Sequence, residues 1–140
     1  VELSLLKLIF FSDEYIDWCA ANLQSEWIQH GLVRQIFVKR VEAHRAGTWH
    51  ALGAFLNECD SAEMRNVVTE AAAEDGSVRN PRQQIFDAVV RFQKQFIQRR
   101  VEALTHRQNQ PDLSDDAKVE LMREQAELRE LKRKSLPPPA

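Results

Sequence analysis

Most of the chain spaces its apolar residues three and four positions apart, which places them on one face of an α-helix. The first stretch, residues 3–11, is more densely apolar and predicts a buried helix that ends near Ser12. Ser12 is expected to cap a second helix with Asp13 and Glu14 in its first turn, because acidic side chains stabilise the amino end of a helix. A loop around residues 23–31 follows.

Turn and capping residues divide the next part of the chain into three more helices. Gly31 opens a helix with an apolar stripe, and Gly47 is expected to end it. Four basic side chains are placed largely outside that stripe: Arg34, Lys39, Arg40 and Arg45. Thr48 is expected to cap a short fourth helix, and Ser61 a fifth that stops before residues 75–76.

A longer helix is predicted after these short ones. Asn80 followed by Pro81 is a strong start signal because Pro is favoured at the first helical position. No further Gly or Pro occurs until Pro111, so the helix is predicted to have about 27 residues. Its apolar face ends at Leu104, and the polar sequence beyond indicates that the helix leaves the body it packs against.

The last predicted helix begins at Ser114 and ends near Lys134. It carries six acidic and six basic residues, and its apolar stripe is narrow. That stripe consists of Ala117, Leu121, Leu128 and Leu131. Such a helix has too little apolar surface for a core element but enough to pair with one neighbour. We therefore expect a projecting antiparallel hairpin, formed with the end of the long helix.

Composition favours the same all-α fold class, a multi-helix bundle followed by a long helix and a projecting C-terminal hairpin. The 140 residues are 44% hydrophobic and 29% charged, with only 4 Gly and 5 Pro, too few turn residues for an all-β sandwich. We expect a bundle subdomain over residues 1–106, a hairpin subdomain over 107–136 and a disordered Pro-rich tail over 137–140. Because the chain begins at Val1, we expect it to be a segment of a longer protein.

Charge is unevenly distributed although the net charge is only -2. Residues 79–107 carry seven Lys or Arg and two acids, a net of +5, whereas residues 51–78 carry one Arg and six acids, a net of -5. A basic helix can meet phosphates or an acidic protein tail, or it can face the acidic segment within the fold. The internal or solvated interpretation is favoured because the aromatic residues of this helix lie on its apolar face.

Few residues point to catalysis or to a bound metal. The chain contains no phosphate-binding loop, dinucleotide-binding, zinc-protease or nucleophile-elbow motif. Glu102 and His106 are four residues apart on one helix face, where a solvated pair is more common than an acid–base pair. Cys19 and Cys59 lack metal-ligand spacing and are expected to be buried free thiols in a reducing cytoplasm. We expect a non-enzymatic segment with no cofactor and no metal.

Histidine and tryptophan positions also favour structural roles. His44 and His50 flank a helix end and a cap, and are expected to be surface or capping groups. Three Trp residues could line a ligand groove, but aromatic side chains at helical spacing are more often part of a core. They are Trp18, Trp27 and Trp49.

Several stretches carry a family resemblance. Two lie near the C-terminus: Gln98-Arg-Arg-Val-Glu-Ala-Leu, and Leu113-Ser-Asp-Asp-Ala-Lys-Val-Glu-Leu-Met with the closing Leu128-Arg-Glu-Leu-Lys-Arg-Lys. Three more lie near the start: Leu5-Leu-Lys-Leu-Ile, Leu23 to Trp27, and Leu32-Val-Arg-Gln-Ile. Together with the order of helices, these stretches resemble the C-terminal helicase-interaction domain of bacterial DnaG-type DNA primases over nearly the whole chain.

The resemblance implies a non-catalytic domain that docks primase onto the N-terminal domains of the hexameric, DnaB-type replicative helicase. The priming active site and the zinc module of such a primase would lie outside this chain. The acidic tail of single-strand DNA-binding protein is a further partner that the family suggests, whereas direct nucleic-acid contact and a membrane are not required. Two alternatives stay open: the N-terminal domain of the helicase itself, whose bundle is similar, and a helical nucleic-acid-binding module.

The resemblance also assigns a partner-binding face to the hairpin. Leu113 and Ser114 match the start of the family's last helix, and six further positions match its binding face or basic end. These are Leu121, Met122, Gln125, Leu128, Lys132 and Arg133. We expect apolar contacts from Leu121, Met122 and Leu128 and polar specificity from Gln125, Arg129 and Lys132. In the competing interpretation, Leu121 and Leu128 only hold the hairpin together. The chain departs from the family pattern in its longer Lys-Arg-Lys end and Pro tail.

Overall fold

The computed structural model describes residues 2–49, 51–73 and 79–139, without the side chain of Glu2. The predictions for His50, for residues 75–76 and for Ala140 therefore fall outside the described residues. Within the described ranges the chain forms seven α-helices and two short 3-10 turns and contains no strand, which confirms the all-α fold class.

The helices follow the predicted order along the chain. They are α1 (Glu2–Phe11), α2 (Ile16–Asn22), α3 (Gly31–Ala46), α4 (Leu52–Asn57), α5 (Ala62–Ala72), α6 (Pro81–Gln108) and α7 (Asp115–Arg133). The 3-10 turns span Asp13–Tyr15 and Ser25–Trp27. The unbroken α6 has 28 residues, close to the predicted length.

Helix α1 lies at the centre of the bundle, where it contacts α3, α5 and α6. Its side chains from Leu5 to Phe10 are buried, apart from the partly exposed Lys7. Because neighbours cover it on several sides, α1 is apolar around most of its circumference instead of along one stripe. The dense apolar run at the start of the chain is thus explained by burial.

Four helix ends were predicted correctly, three of them with their caps. Ser61 and Ser114 each accept a hydrogen bond from the backbone N–H three residues later, at 3.1 and 3.2 Å. Gly47 ends α3 in the left-handed region at φ 69°, where a residue without Cβ is not strained. Pro81 begins α6 as predicted, although Asn80 before it makes no side-chain cap bond and lies in the left-handed region at φ 48°.

Two predicted caps were wrong. Ser12 makes no side-chain cap bond, and a 3-10 turn separates it from α2. Thr48 does not begin α4, because its hydroxyl donates to the carbonyl of Ala43 at 3.3 Å and so closes the end of α3. Helix α4 starts after Ala51, which has no cap side chain.

Arg40 was wrongly placed outside the apolar stripe of α3. Its side chain is 0% exposed, and its Nε donates to the carbonyl of Ile9 at 3.1 Å. Its Nη2 lies 2.7 Å from Oδ1 of Asp13, and its guanidinium carbon lies 3.7 Å from the ring centre of Trp49. These contacts replace part of the water that a buried guanidinium loses, and they join α1, α3 and the segment after each of them. Its Nη1 is buried without a hydrogen-bond partner.

The tryptophan residues divide between the core and its edge. Trp27 is buried, as predicted for a core aromatic residue. Trp18 and Trp49 pack against the core but remain partly exposed. Surface-accessible aromatic side chains are therefore part of this bundle.

The ends of α6 and α7 form an antiparallel hairpin with a small core of its own. That core consists of Ile97, Leu104, Leu121 and Leu128. Arg100 and Glu124 pair across the two helices beside it. Residues 105–112 are all exposed, so the tip of the hairpin stands away from the bundle.

The base of the hairpin joins the bundle instead of projecting. Leu131 and Leu136 pack against the bundle core, and the side chain of Gln93 donates to the carbonyl of Leu131 at 3.4 Å. The Pro-rich end, expected to be disordered, makes contacts in the structure: Trp18 and Arg82 donate to the carbonyls of Pro137 and Pro139. Only the outer half of the hairpin therefore stands free.

Candidate partner-binding site

The candidate residues lie on α7 and just before it, and they differ in how far the structure buries them. Leu121 and Leu128 are buried in the hairpin core, with 4% and 9% of their surfaces exposed. Leu113, partly buried, packs against the same core. This placement fits the interpretation in which these leucines hold the hairpin together. Met122 is 67% exposed, so among the apolar candidates it is the side chain available to a partner.

The polar candidates also separate into structural and accessible groups. Ser114 caps α7, and Gln125 reaches across the hairpin so that its Nε2 donates to Oε1 of Gln108 at 3.3 Å. Arg129 and Lys132 are exposed. Arg133 is exposed as well and lies 3.3 Å from Glu130, one helical turn earlier. The structure therefore does not bring all nine predicted residues together on one surface.

Most of them border a groove along one side of the hairpin, between α6 and α7. It consists of two adjoining hollows of about 350 Å³ each, and Gln125 lines both. The hollow nearer the bundle is lined by Ile97, Gln98, Val101, Gln125, Leu128, Arg129 and Lys132. The hollow nearer the tip is lined by Gln108, Leu113, Lys118, Leu121, Met122 and Gln125. We call this surface the hairpin groove.

Helical spacing gives the hairpin groove its charge. Lys118, Arg129 and Lys132 are spaced so that they lie along one flank of α7, and all three line the groove. The acidic residues 120, 124 and 127 fall on the other flank, where Glu124 pairs with Arg100. The described lining of the groove thus combines apolar and amide side chains with three basic groups and no acidic group.

Half of the hairpin groove was missed by sequence reasoning. Gln98, Val101 and Gln108 come from α6, and no partner-binding role was predicted for any of them. The signal was Val101, an apolar residue that falls beside the stripe of Ile97 and Leu104 and is 44% exposed. Its exposure depends on how closely α7 packs against α6, which the sequence of one helix does not specify.

The other chemical candidates do not form a pocket. Glu102 accepts a hydrogen bond from Gln98 at 2.9 Å, and both Glu102 and His106 are exposed on α6. His44 lies 2.8 Å from Asp17 at the surface. Cys19 and Cys59 are free and buried, and burial raises the pKa of Cys19 to about 12. Such a thiol stays protonated and unreactive near neutral pH.

Comparisons with known proteins add no relative. No family model, no curated protein and no solved structure matches the chain. Among the helices of the described ranges, none has the length and apolar content needed to cross a membrane. The geometry of the hairpin groove therefore carries the functional argument.

Proposed function

We propose that this chain is a protein-docking domain whose hairpin groove binds an amphipathic helix with acidic residues beside its apolar face. The observation that carries the proposal is the combination of exposed Met122 and Val101 with three basic side chains along one groove. An apolar floor supplies affinity when a partner covers it, and a basic rim selects a partner of opposite charge. The groove between two helices is also the shape that receives a third helix.

The resemblance to primase suggests what that helix belongs to. We propose the N-terminal domain of a hexameric replicative helicase as the partner, with this chain as the helicase-interaction domain of a bacterial DNA primase. Support comes from the Leu113-Ser-Asp-Asp start of α7 and its basic end, which are the stretches that resemble that family. Docking through the tip would leave the bundle free for the rest of such a primase.

Met122 provides the sharpest test of this proposal. Replacing it with Ser removes an exposed side chain outside the hairpin core, so folding is expected to be unaffected. Loss of its burial against a partner costs about 1.5–3 kcal/mol, or roughly ten- to a hundredfold in Kd. The measurement is isothermal titration of the helicase N-terminal domain with the wild-type chain and with Met122→Ser.

Val119 offers a matched control on the same helix. It is 56% exposed, but it is not among the residues that line the hairpin groove. Val119→Ser is expected to bind the helicase domain as the wild type does. If both substitutions weaken binding equally, or if neither weakens it, docking through the groove is excluded. If the wild-type chain does not bind, the helicase is excluded as its partner.

The basic rim also favours a second candidate function, binding of nucleic acid. Lys118, Arg129 and Lys132 could contact phosphates, and such binding weakens steeply as salt rises. The described lining of the groove lacks the aromatic side chains on which unpaired bases stack. Titration with a fluorescent single-stranded oligonucleotide at low salt separates the two functions, since the docking domain is expected to give no signal there.

A further inference from the structure

The segment after α7 takes a defined path back over the bundle. Leu136 packs against the bundle core, and Pro139 is buried. Pro137 and Pro138, between them, are exposed. The segment therefore contacts the bundle at two separate points, far in sequence from the residues that it meets.

Two side chains of the bundle donate to carbonyl groups of this segment. The indole Nε1 of Trp18 donates to the carbonyl of Pro137 at 3.0 Å, and Nε of Arg82 donates to the carbonyl of Pro139. Proline has no N–H, so consecutive prolines leave their carbonyls unpaired within the chain and available to such donors. In an extended proline-rich strand with three residues per turn, carbonyls two residues apart point to different sides, so donors from two different helices can reach them.

An aromatic surface lies at the same place. The rings of Trp18 and Phe86 are 6.2 Å apart at an interplanar angle of 48°, and both are only partly buried. Proline-rich segments usually bind to sites that combine aromatic side chains with a hydrogen-bond donor. These segments are already extended, so they lose little conformational entropy on binding. Trp18, Arg82 and Phe86 together have both components, and we call them the tail site.

We propose that the tail site is a recognition site for proline-rich peptides, which the chain's own residues 136–139 occupy as a tethered ligand. The tail site lies on the bundle and shares no residue with the hairpin groove, so it does not depend on the docking proposal. A ligand joined to its site by a short tether has a millimolar effective concentration. A proline-rich segment of another protein must therefore displace residues 136–139 before it binds.

The indole N–H signal of Trp18 in a ¹⁵N NMR spectrum tests this proposal, with Trp18→Phe identifying the signal. A variant that ends at Lys134 is expected to shift this signal and to speed its exchange with solvent at least tenfold. The peptide Leu-Pro-Pro-Pro-Ala, added at millimolar concentration, is expected to return the signal of the shortened variant toward its position in the 140-residue chain. The 140-residue chain is expected to respond at least tenfold more weakly, since its site is already filled.

The control peptide is Leu-Ala-Ala-Ala-Ala, which keeps the carbonyls but not the preformed extended shape. A response equal to that of the proline peptide would overturn the recognition of proline, and an unchanged Trp18 signal in the shortened variant would overturn occupation by the tail. The indole signals of Trp27 and Trp49 report whether the bundle stays folded. If shortening disturbs them, the 140-residue triple variant P137A/P138A/P139A replaces the shortened variant. The same shift of the Trp18 signal is expected, and an unchanged signal would count against the proposal.

Discussion

Arg40 shows how one charged residue can belong to a core. Burial lowers the pKa of its guanidinium below the usual value, and the neighbouring carboxylate of Asp13 offsets only part of that shift. Since Asp13 is largely exposed, the pair is not sealed from water. The buried part of the interaction is the bond to the carbonyl of Ile9 and the contact with Trp49.

Arg40→Ala is expected to lower the free energy of unfolding by about 2–4 kcal/mol, because it leaves a cavity and an unpaired carbonyl. Urea denaturation measures the change. Arg45, exposed on the same helix, supplies the control, and Arg45→Ala is expected to change the free energy by less than about 0.5 kcal/mol. A similarly small change at both positions would show that Arg40 contributes no more to the free energy of unfolding than a surface residue does.

Cys19 makes a pH-dependent contribution with a defined sign. Burial raises its pKa from 9.0 to about 12, so the folded state keeps a proton that the unfolded state loses above pH 9. Stability is then unaffected below pH 9 and falls as the pH rises from 9 towards 12. Between pH 8 and pH 10, the wild type is expected to lose about 1.4 kcal/mol more than Cys19→Ala.

Denaturation curves of both proteins at the two pH values give this difference, in which the other titrating groups cancel. The same change with pH in both proteins would mean that the Cys19 thiol ionises as readily in the folded state as in the unfolded chain.

At the scale of elements, the hairpin has far fewer buried side chains than the bundle. Four residues form its core, and α7 has extensive contacts only with α6 among the described elements. A unit with a small core opens at a lower free energy than one with a large core. The hairpin is therefore expected to open while the bundle stays folded.

Leu121→Ala tests this separation, because it removes a buried side chain of the hairpin core. Native-state hydrogen exchange is expected to speed up at least tenfold for the amides of α7 and to stay unchanged for those of α1, since the lost packing belongs to the hairpin alone. Val119→Ala, an exposed site on α7, serves as the reference. Equal acceleration in α1 and α7 would indicate one cooperative unit.

The helices were predictable to the extent that local chemistry decides their ends. Ser61, Ser114 and Gly47 act within one turn of their own position, so the sequence indicated them. Thr48 has the same capping chemistry, but its hydroxyl bonds backward to Ala43 and not forward into α4. A single sequence does not distinguish these two choices, because the left-handed turn at Gly47 brings the hydroxyl back over α3.

At the scale of the whole molecule, sequence reasoning indicated the α7 half of the hairpin groove except Lys118, and missed both the α6 half and the tail site. Met122 is exposed because helical spacing places it outside the apolar stripe of α7, and its contact with a partner stays a prediction. Trp18 and Arg82 lie 119 and 57 residues from the prolines that they contact. Contacts over such distances follow from the packed fold and not from local pattern.

The continuity of α6 also has a mechanical consequence. One unbroken helix serves as a wall of the bundle through Val89 and as half of the hairpin through Leu104. From Val89 to Gln108 it measures about 29 Å at 1.5 Å per residue, so tilting it by 10° displaces the tip by about 5 Å. The helix thus acts as a lever arm: a load applied at the tip exerts torque on the bundle, and a small repacking inside the bundle swings the tip through several ångströms.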